Sequence, residues 1–208
     1  MSKNSFNGRK AAILIENGCC ERELSQSITA LEELGFKCHF ISSESRVVKS
    51  WNEDKTHKRN SGWVSDYAVH DNLASAHPGD YDVLVTPGGR RSLEKLKLDN
   101  GLRAFLSGFI LTDKPVIAYN SAITLLGDLD LIKGYSVAAT QEVCERAKVS
   151  GVRCASPEFV VSKNLITLSR YRAAEQKLTS AITAILNGES FIEKIVSSEN
   201  IPRAYSAA

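Results

Sequence analysis

A short, unbroken apolar run, Ala11-Ala12-Ile13-Leu14-Ile15, stopping at Glu16-Asn17-Gly18, narrows the possible architectures more than any other stretch of the chain. An apolar run of this length without polar alternation is a strand covered on both faces, as in a parallel sheet, and Asn-Gly ends it in a turn. Leu24, Ile28, Leu31 and Leu34 then recur at helical spacing, a stripe closed by Gly35. Cys38, Phe40 and Ile41 mark a second strand between residues 37 and 42. Strand, helix and strand over about 30 residues make a βαβ unit.

The same pattern returns after residue 78. Asp82-Val83-Leu84-Val85 runs into Thr86-Pro87-Gly88-Gly89, with Ser92 placed to cap the following helix, and Leu102 to Leu111 supplies a second helix in that crossover. Pro115-Val116-Ile117-Ala118 is a buried strand that breaks abruptly at Tyr119-Asn120-Ser121 into a helix over Ala122 to Leu126. Ser136 to Ala139 reads as a further strand. Phe159-Val160-Val161 and Leu165 to Leu168 flank Ser162-Lys163-Asn164 as a hairpin, and Ala173 to Leu186 forms a closing helix stopped by Asn187-Gly188. Residues 43–78 differ. They are polar, with two strands expected at Val47 to Trp51 and Trp63 to Tyr67, forming an excursion outside the main sheet. The basic run Lys55 to Arg59 is read as its solvated tip, with a nucleic-acid patch as the alternative. The expected whole is one domain over residues 1–188, a flavodoxin-like three-layer α/β/α sandwich with a mostly parallel sheet. Residues 189–208 are expected to form a tail, with a short helix over Phe191 to Val196.

Composition sets the class of partner. Twenty-six Lys and Arg against 24 Asp and Glu leave a formal charge of +2, so no global field recruits nucleic acid or an anionic membrane, and neither is expected as a partner. No apolar run approaches the ~18 residues of a membrane span, and residues 1–10 lack the apolar stretch of a signal peptide. The five cysteines (Cys19, Cys20, Cys38, Cys144, Cys154) are odd in number, and two are adjacent. They read as reduced thiols in a cytoplasmic protein. None stands in a C-x-x-C spacing and the four histidines form no ligand set with them, so no metal is expected. Neither G-x-G-x-x-G nor a P-loop is present, and no cofactor is expected.

In doubly wound folds ligands sit at the carboxyl ends of strands, beside the topological switch point. Three such ends stand out: 16–23, Pro87-Gly88-Gly89 and Tyr119-Asn120-Ser121. The Gly88 and Gly89 amides can approach a carboxylate or developing oxyanion without Cβ interference, although Pro-Gly-Gly is also an ordinary turn. The strand-turn-helix around Asn120 has the form of a nucleophile elbow, where a thiol would be activated.

These residues resemble the ThiJ/PfpI superfamily. The resemblance is carried by Ile13-Leu14-Ile15 with Asn17-Gly18 and Glu21-Arg22-Glu23-Leu24, and by Asp80 to Val85 running into Pro87-Gly88-Gly89. Lys114 to Ala118, Leu131-Ile132-Lys133-Gly134-Tyr135 and Asn164-Leu165-Ile166-Thr167 continue it, in order over roughly residues 10–188. The resemblance implies a flavodoxin-like sandwich, commonly a homodimer. It also implies a site whose catalytic members carry Ala-Ile-Cys-His-Gly-Pro at the elbow. Here that stretch is Ala118-Tyr119-Asn120-Ser121-Ala122-Ile123, with Asn120 at the nucleophile position and Ser121 at the following histidine. Glu23 matches the family's acidic residue, and Gly88 and Gly89 match its oxyanion turn.

An amide cannot act as a thiolate. Asn120 is read either as a residue kept for positive φ or as a hydrogen-bonding ligand residue. Ser121 is a helix cap or a replacement nucleophile lacking a neighbouring base in sequence. Cys19 and Cys20 are buried fillers or a metal or redox pair near a helix N-terminus, or Cys20 is a displaced nucleophile acting across the pocket from Asn120. Asn17, Gly88, Gly89 and Arg90 are placed as ligand-binding residues, with Arg90 and Arg91 either solvated or offered to an anion at the pocket mouth. The expected function is a small-molecule-binding or regulatory protein, with a place in stress response, without the usual cysteine chemistry. The alternatives are a glyoxalase-, deglycase- or hydrolase-type enzyme using Glu23 with Ser121 or Cys20, and a chaperone or interaction protein using the Trp51/Trp63 excursion or the tail.

Overall fold

The computed structural model describes residues 5–43, 46–52, 61–155, 158–169, 175–189 and 194–196. The apolar runs form the parallel centre of an eight-stranded sheet: β1 (Lys10–Leu14), β2 (Lys37–Ser42), β6 (Val83–Thr86), β7 (Val116–Tyr119) and β11 (Leu165–Leu168). Their spatial order, β2-β1-β6-β7-β11, is that of a flavodoxin-like sheet, with the switch point between β1 and β6. Ala11 stands opposite Cys38 on one side and Val83 on the other; Val116 stands between Leu84 and Leu165. The short β5 (Asp71–Asn72) joins in parallel beside β2, and β10 (Phe159–Ser162) pairs antiparallel with β11.

Two cores flank this sheet. Ala12, Leu14, Leu84 and Val116 face the layer formed by α2 (Arg90–Leu96), α3 (Leu102–Ile110), α4 (Ala122–Asp128) and α5 (Gln141–Ala147). Ala11, Ile13, Val85 and Ile117 face α1 (Glu21–Glu33) and α6 (Glu175–Leu186). This alternation along strands that are apolar on both faces is the physical content of a three-layer sandwich. The excursion is a hairpin of β3 (Val47–Asn52) and β4 (Gly62–Ala68), paired antiparallel. Its expected basic tip, 55–59, lies outside the described residues, as do 173–174 at the start of the closing helix. No helix among the described residues is long and apolar enough to cross a membrane.

Ser136–Ala138 is a strand, β8, but it pairs in parallel with β9 (Arg153–Ala155) rather than joining the main sheet. Side chains of the neighbouring strands receive its amides instead: Ser136 N–H donates to Ser162 Oγ and Ala138 N–H to Thr167 Oγ1. On the side facing β10 and β11, buried donors are thus satisfied by side chains. Lys194–Val196 forms a strand, β12, antiparallel to β10, in place of the helix expected there, and so covers an otherwise open edge. The first part of that expected helix, 191–193, lies outside the described residues. Ser92 does not cap α2, whose N-cap is Gly89; its hydroxyl accepts the Glu16 N–H from the end of β1 at 2.9 Å.

Cys144 and Cys154 form a disulfide, so the reading of five reduced thiols does not hold. The turn Lys148–Ser150 and left-handed Gly151 fold β9 back along α5, bringing the two Cα atoms to 5.8 Å. Composition cannot reveal a pairing made by a tertiary turn. Closing a loop of this length restricts the unfolded chain, and reduction is expected to lower stability by about 2–3 kcal/mol. Denaturant melts with and without dithiothreitol, and of the Cys144→Ser/Cys154→Ser variant, check this; unchanged midpoints would refute it.

Candidate functional site

The site forms where the ends of β1, β6 and β7 meet. After β1 the chain runs through Gly18 to Cys20 and into α1, and three backbone hydrogen bonds set this loop. Gly18 N–H donates to Lys49 O, Trp51 N–H to Cys19 O, and Cys20 N–H to Gly88 O. The loop is thus held between the β3–β4 hairpin and the turn after β6. That turn is tightly fitted. Gly89 has φ +112°, and a Cβ there would lie 2.4 Å from Gly18 O and 2.9 Å from Cys19 Cα. A Cβ on Gly88 would meet Glu23 Oε2 at 2.7 Å and Ser121 Oγ at 2.9 Å.

Glu23, on the first turn of α1, turns its carboxylate to Gly88: the Gly88 N–H donates to Glu23 Oε2 at 2.6 Å. Ser121 stands at the start of α4 but makes no cap with its side chain. Its Oγ instead accepts a long bond from Gly89 N–H at 3.4 Å, which corrects the capping expectation. Both amides of the Gly pair therefore already hold a protein oxygen. Beneath them the buried Tyr119 hydroxyl hydrogen-bonds with Ser27 at 2.9 Å, and burial pushes that phenol well above its ordinary range.

Asn120 occupies the elbow with φ +38°, a left-handed conformation that Asn tolerates better than other residues bearing a Cβ. Thr140, immediately before α5, donates to Asn120 Oδ1 from both its N–H (3.3 Å) and its Oγ1 (3.0 Å). Since a backbone N–H can only donate, Oδ1 must face Thr140. The amide NH2 is then the end turned away from Thr140, and it has no hydrogen-bond partner among the described residues. Strain and hydrogen bonding thus act together at this residue. Thr140 was not among the sequence candidates; it stands 20 residues from the elbow and carries no motif.

Not all candidates gather here. Arg90 is mostly exposed and pairs with Glu94 at 3.5 Å. Asn17 accepts the Lys49 N–H through Oδ1 and lines a separate cleft with Arg91. Cys20 lies beside Glu23 at the α1 N-cap, where burial first and the Glu23 charge second push its thiol up to about 12. Cys19 and Cys38 are likewise raised to about 12, mainly by burial. A raised thiol pKa leaves less thiolate at neutral pH, about a thousandfold less than at the ordinary 9.0. Iodoacetamide is therefore expected to spare Cys20 in the native protein at pH 7.5, with the rate climbing about tenfold per pH unit through pH 10. Labelling of Cys20 at pH 7.5 as fast as in the denatured chain would contradict this. No group of three or more His, Cys, Asp or Glu side chains among the described residues is arranged to hold a metal ion.

An elbow directly after β7, an acidic residue on the first helix and a glycine turn opposite both define an α/β sandwich with a strand-to-helix elbow, which carries Asn120 in this chain. The model of the DJ-1/PfpI family matches residues 9–184, and the chain belongs to that family. An uncharacterized protein of Staphylococcus aureus is 30% identical over 163 residues, covering 76% of this chain and 88% of that protein. Among solved structures, a two-domain protein of Anabaena variabilis with DJ-1/ThiJ/PfpI-like and ferritin-like domains superposes with a TM-score of 0.70 at 23% identity. That match covers 86% of this chain but only 48% of the larger protein. A cysteine-to-alanine mutant of a DJ-1 superfamily protein from Salmonella typhimurium superposes with a TM-score of 0.69 at 20% identity, over 87% of this chain and 91% of that one.

Proposed function

We propose that this chain is a small-molecule-binding member of its family that works without thiol chemistry at the elbow, its occupancy serving regulation rather than turnover. The observation that carries this is Asn120 itself: its carbonyl is held by Thr140, which leaves its NH2 as a donor without a partner among the described residues. Such a donor suits a ligand carbonyl or carboxylate oxygen. The Gly88 and Gly89 amides, which in a catalytic site would await a developing oxyanion, are engaged by Glu23 and Ser121. Ligand oxygens would have to displace these groups, which favours binding over acyl chemistry.

One observation favours a second reading. Glu23 Oε2 and Ser121 Oγ converge on the same point above Gly88, so a Ser-Glu pair acting as nucleophile and base is the enzyme reading to test. A titration of 15N-labelled protein with pyruvate, followed at the Asn120 side-chain amide resonances, separates the two. Binding predicts a saturable shift of those resonances with pyruvate unconsumed. An Asn120 amide that never responds, while the Ser121 resonances do, would overturn the proposal in favour of the pair.

A further inference from the structure

We propose that the cleft between the β3–β4 hairpin and α2 is a second small-molecule site, one that takes a compact monoanion carrying an aromatic ring. The cleft has a volume of about 350 Å³ and is lined by Asn17, Trp63, Arg91, Glu94, Lys95 and Leu98. That lies at the small end of the range for ligand pockets. One wall is apolar and unusually open: Trp63 is 51% exposed and Leu98 81%. Trp63 packs edge-on to Trp51 with ring centroids 5.2 Å apart. Trp51 is itself fixed by its backbone bridge to Cys20. An aromatic ring in the cleft would meet an indole already oriented for edge-to-face contact.

Charge decides the other half of the ligand. Arg91 and Lys95 stand four residues apart on one face of α2. Lys95 Nζ faces Glu16 Oε2 at 4.0 Å. Glu16 is fully buried, and its Oε1 accepts hydrogen bonds from Ser42 Oγ, Ser43 N–H and Ser43 Oγ. Glu94 is paired with Arg90. Arg91 makes no ion pair among the described residues, and its guanidinium rests over the Trp51 ring at 5.7 Å. Among the described residues, a guanidinium without an ion pair, set beside an indole, matches a single carboxylate on a ring, which it can grip with two hydrogen bonds.

This cleft is separate from the elbow. Gly18 intervenes: its missing Cβ would fall 3.1 Å from Arg91 Cβ, and Gly18 O in turn packs against Gly89. None of Glu23, Gly88, Gly89, Asn120 or Ser121 lines the cleft.

The test uses the whole protein with benzoate as probe. The chain has two tryptophans, Trp51 and Trp63, so intrinsic fluorescence reports on this cleft. Benzoate is expected to change the emission saturably. Arg91→Met, which keeps the aliphatic stem, and Trp63→Leu, which leaves Trp51 as reporter, are each expected to weaken benzoate about tenfold or more. Benzyl alcohol, the same ring without charge, is expected to bind wild type and Arg91→Met equally weakly. Asn120→Gly is expected to bind benzoate as wild type does. A linear, unsaturable response, or wild-type affinity in Arg91→Met, would overturn the proposal. So would loss of benzoate binding in Asn120→Gly, which would assign the probe to the elbow instead.

Discussion

Replacing Gly89 with alanine is expected to destabilise the protein by about 3–5 kcal/mol, among the largest effects of any single methyl group. Two terms combine. The φ of +112° is one that L side chains rarely adopt, and the added Cβ would meet only backbone: Gly18 O at 2.4 Å, Cys19 Cα at 2.9 Å and Cys20 N at 3.1 Å. A flexible side chain can swing aside; a loop held by Lys49, Trp51 and Gly88 cannot move without giving up those hydrogen bonds. Gly134 isolates the backbone term, because its φ is +80° but nothing lies within 4 Å of its missing Cβ. Gly134→Ala is expected to cost only about 1 kcal/mol. Denaturant melts of the two variants make the comparison. A Gly89→Ala midpoint no lower than that of Gly134→Ala would show that the strand-end turn and the Gly18–Cys20 loop are not in the close contact described.

The second large effect is on binding. Asn120→Gly removes the amide while retaining a residue at ease with φ +38°. Stability is expected to stay within about 1 kcal/mol of wild type, the loss coming from the Thr140 donors that must turn to water. Pyruvate binding at the elbow is expected to fall at least about tenfold, the cost of one hydrogen bond to a charged acceptor. Asn120→Val gives the opposite signature. A β-branched residue at positive φ is strained, so stability is expected to drop by about 2–3 kcal/mol. If Asn120→Gly bound pyruvate as wild type does, Asn120 would be serving backbone conformation alone.

Much of the architecture was legible because its strands are buried on both faces, so Ala11–Ile15 and Val83–Val85 appear as continuous apolar runs. The elbow was legible for a related reason: a buried strand ending directly in a helix leaves few backbone paths, and Asn120 falls at the one with positive φ. What could not be read depends on contacts distant in sequence. Ser136–Ala138 has the composition of a sheet strand, but its amides go to Ser162 and Thr167 side chains. Ser92 has the look of a cap, yet it serves Glu16 across the β1 end. Thr140 matters only through the Asn120 carbonyl that folds against it. The Cys144–Cys154 pair belongs with these, since only the return of β9 along α5 brings its members together.

In the function proposed above, the elbow keeps the family's frame but not its thiol. Methylglyoxal consumption by wild type, Asn120→Cys and Glu23→Ala tests that directly. The prediction is no turnover by wild type or Glu23→Ala, and turnover by Asn120→Cys, where a thiol is returned to the elbow next to Ser121, whose hydroxyl meets the glycine turn that holds Glu23. Turnover by wild type that disappears in Glu23→Ala would contradict the account and make this protein an enzyme with a nucleophile other than the elbow residue.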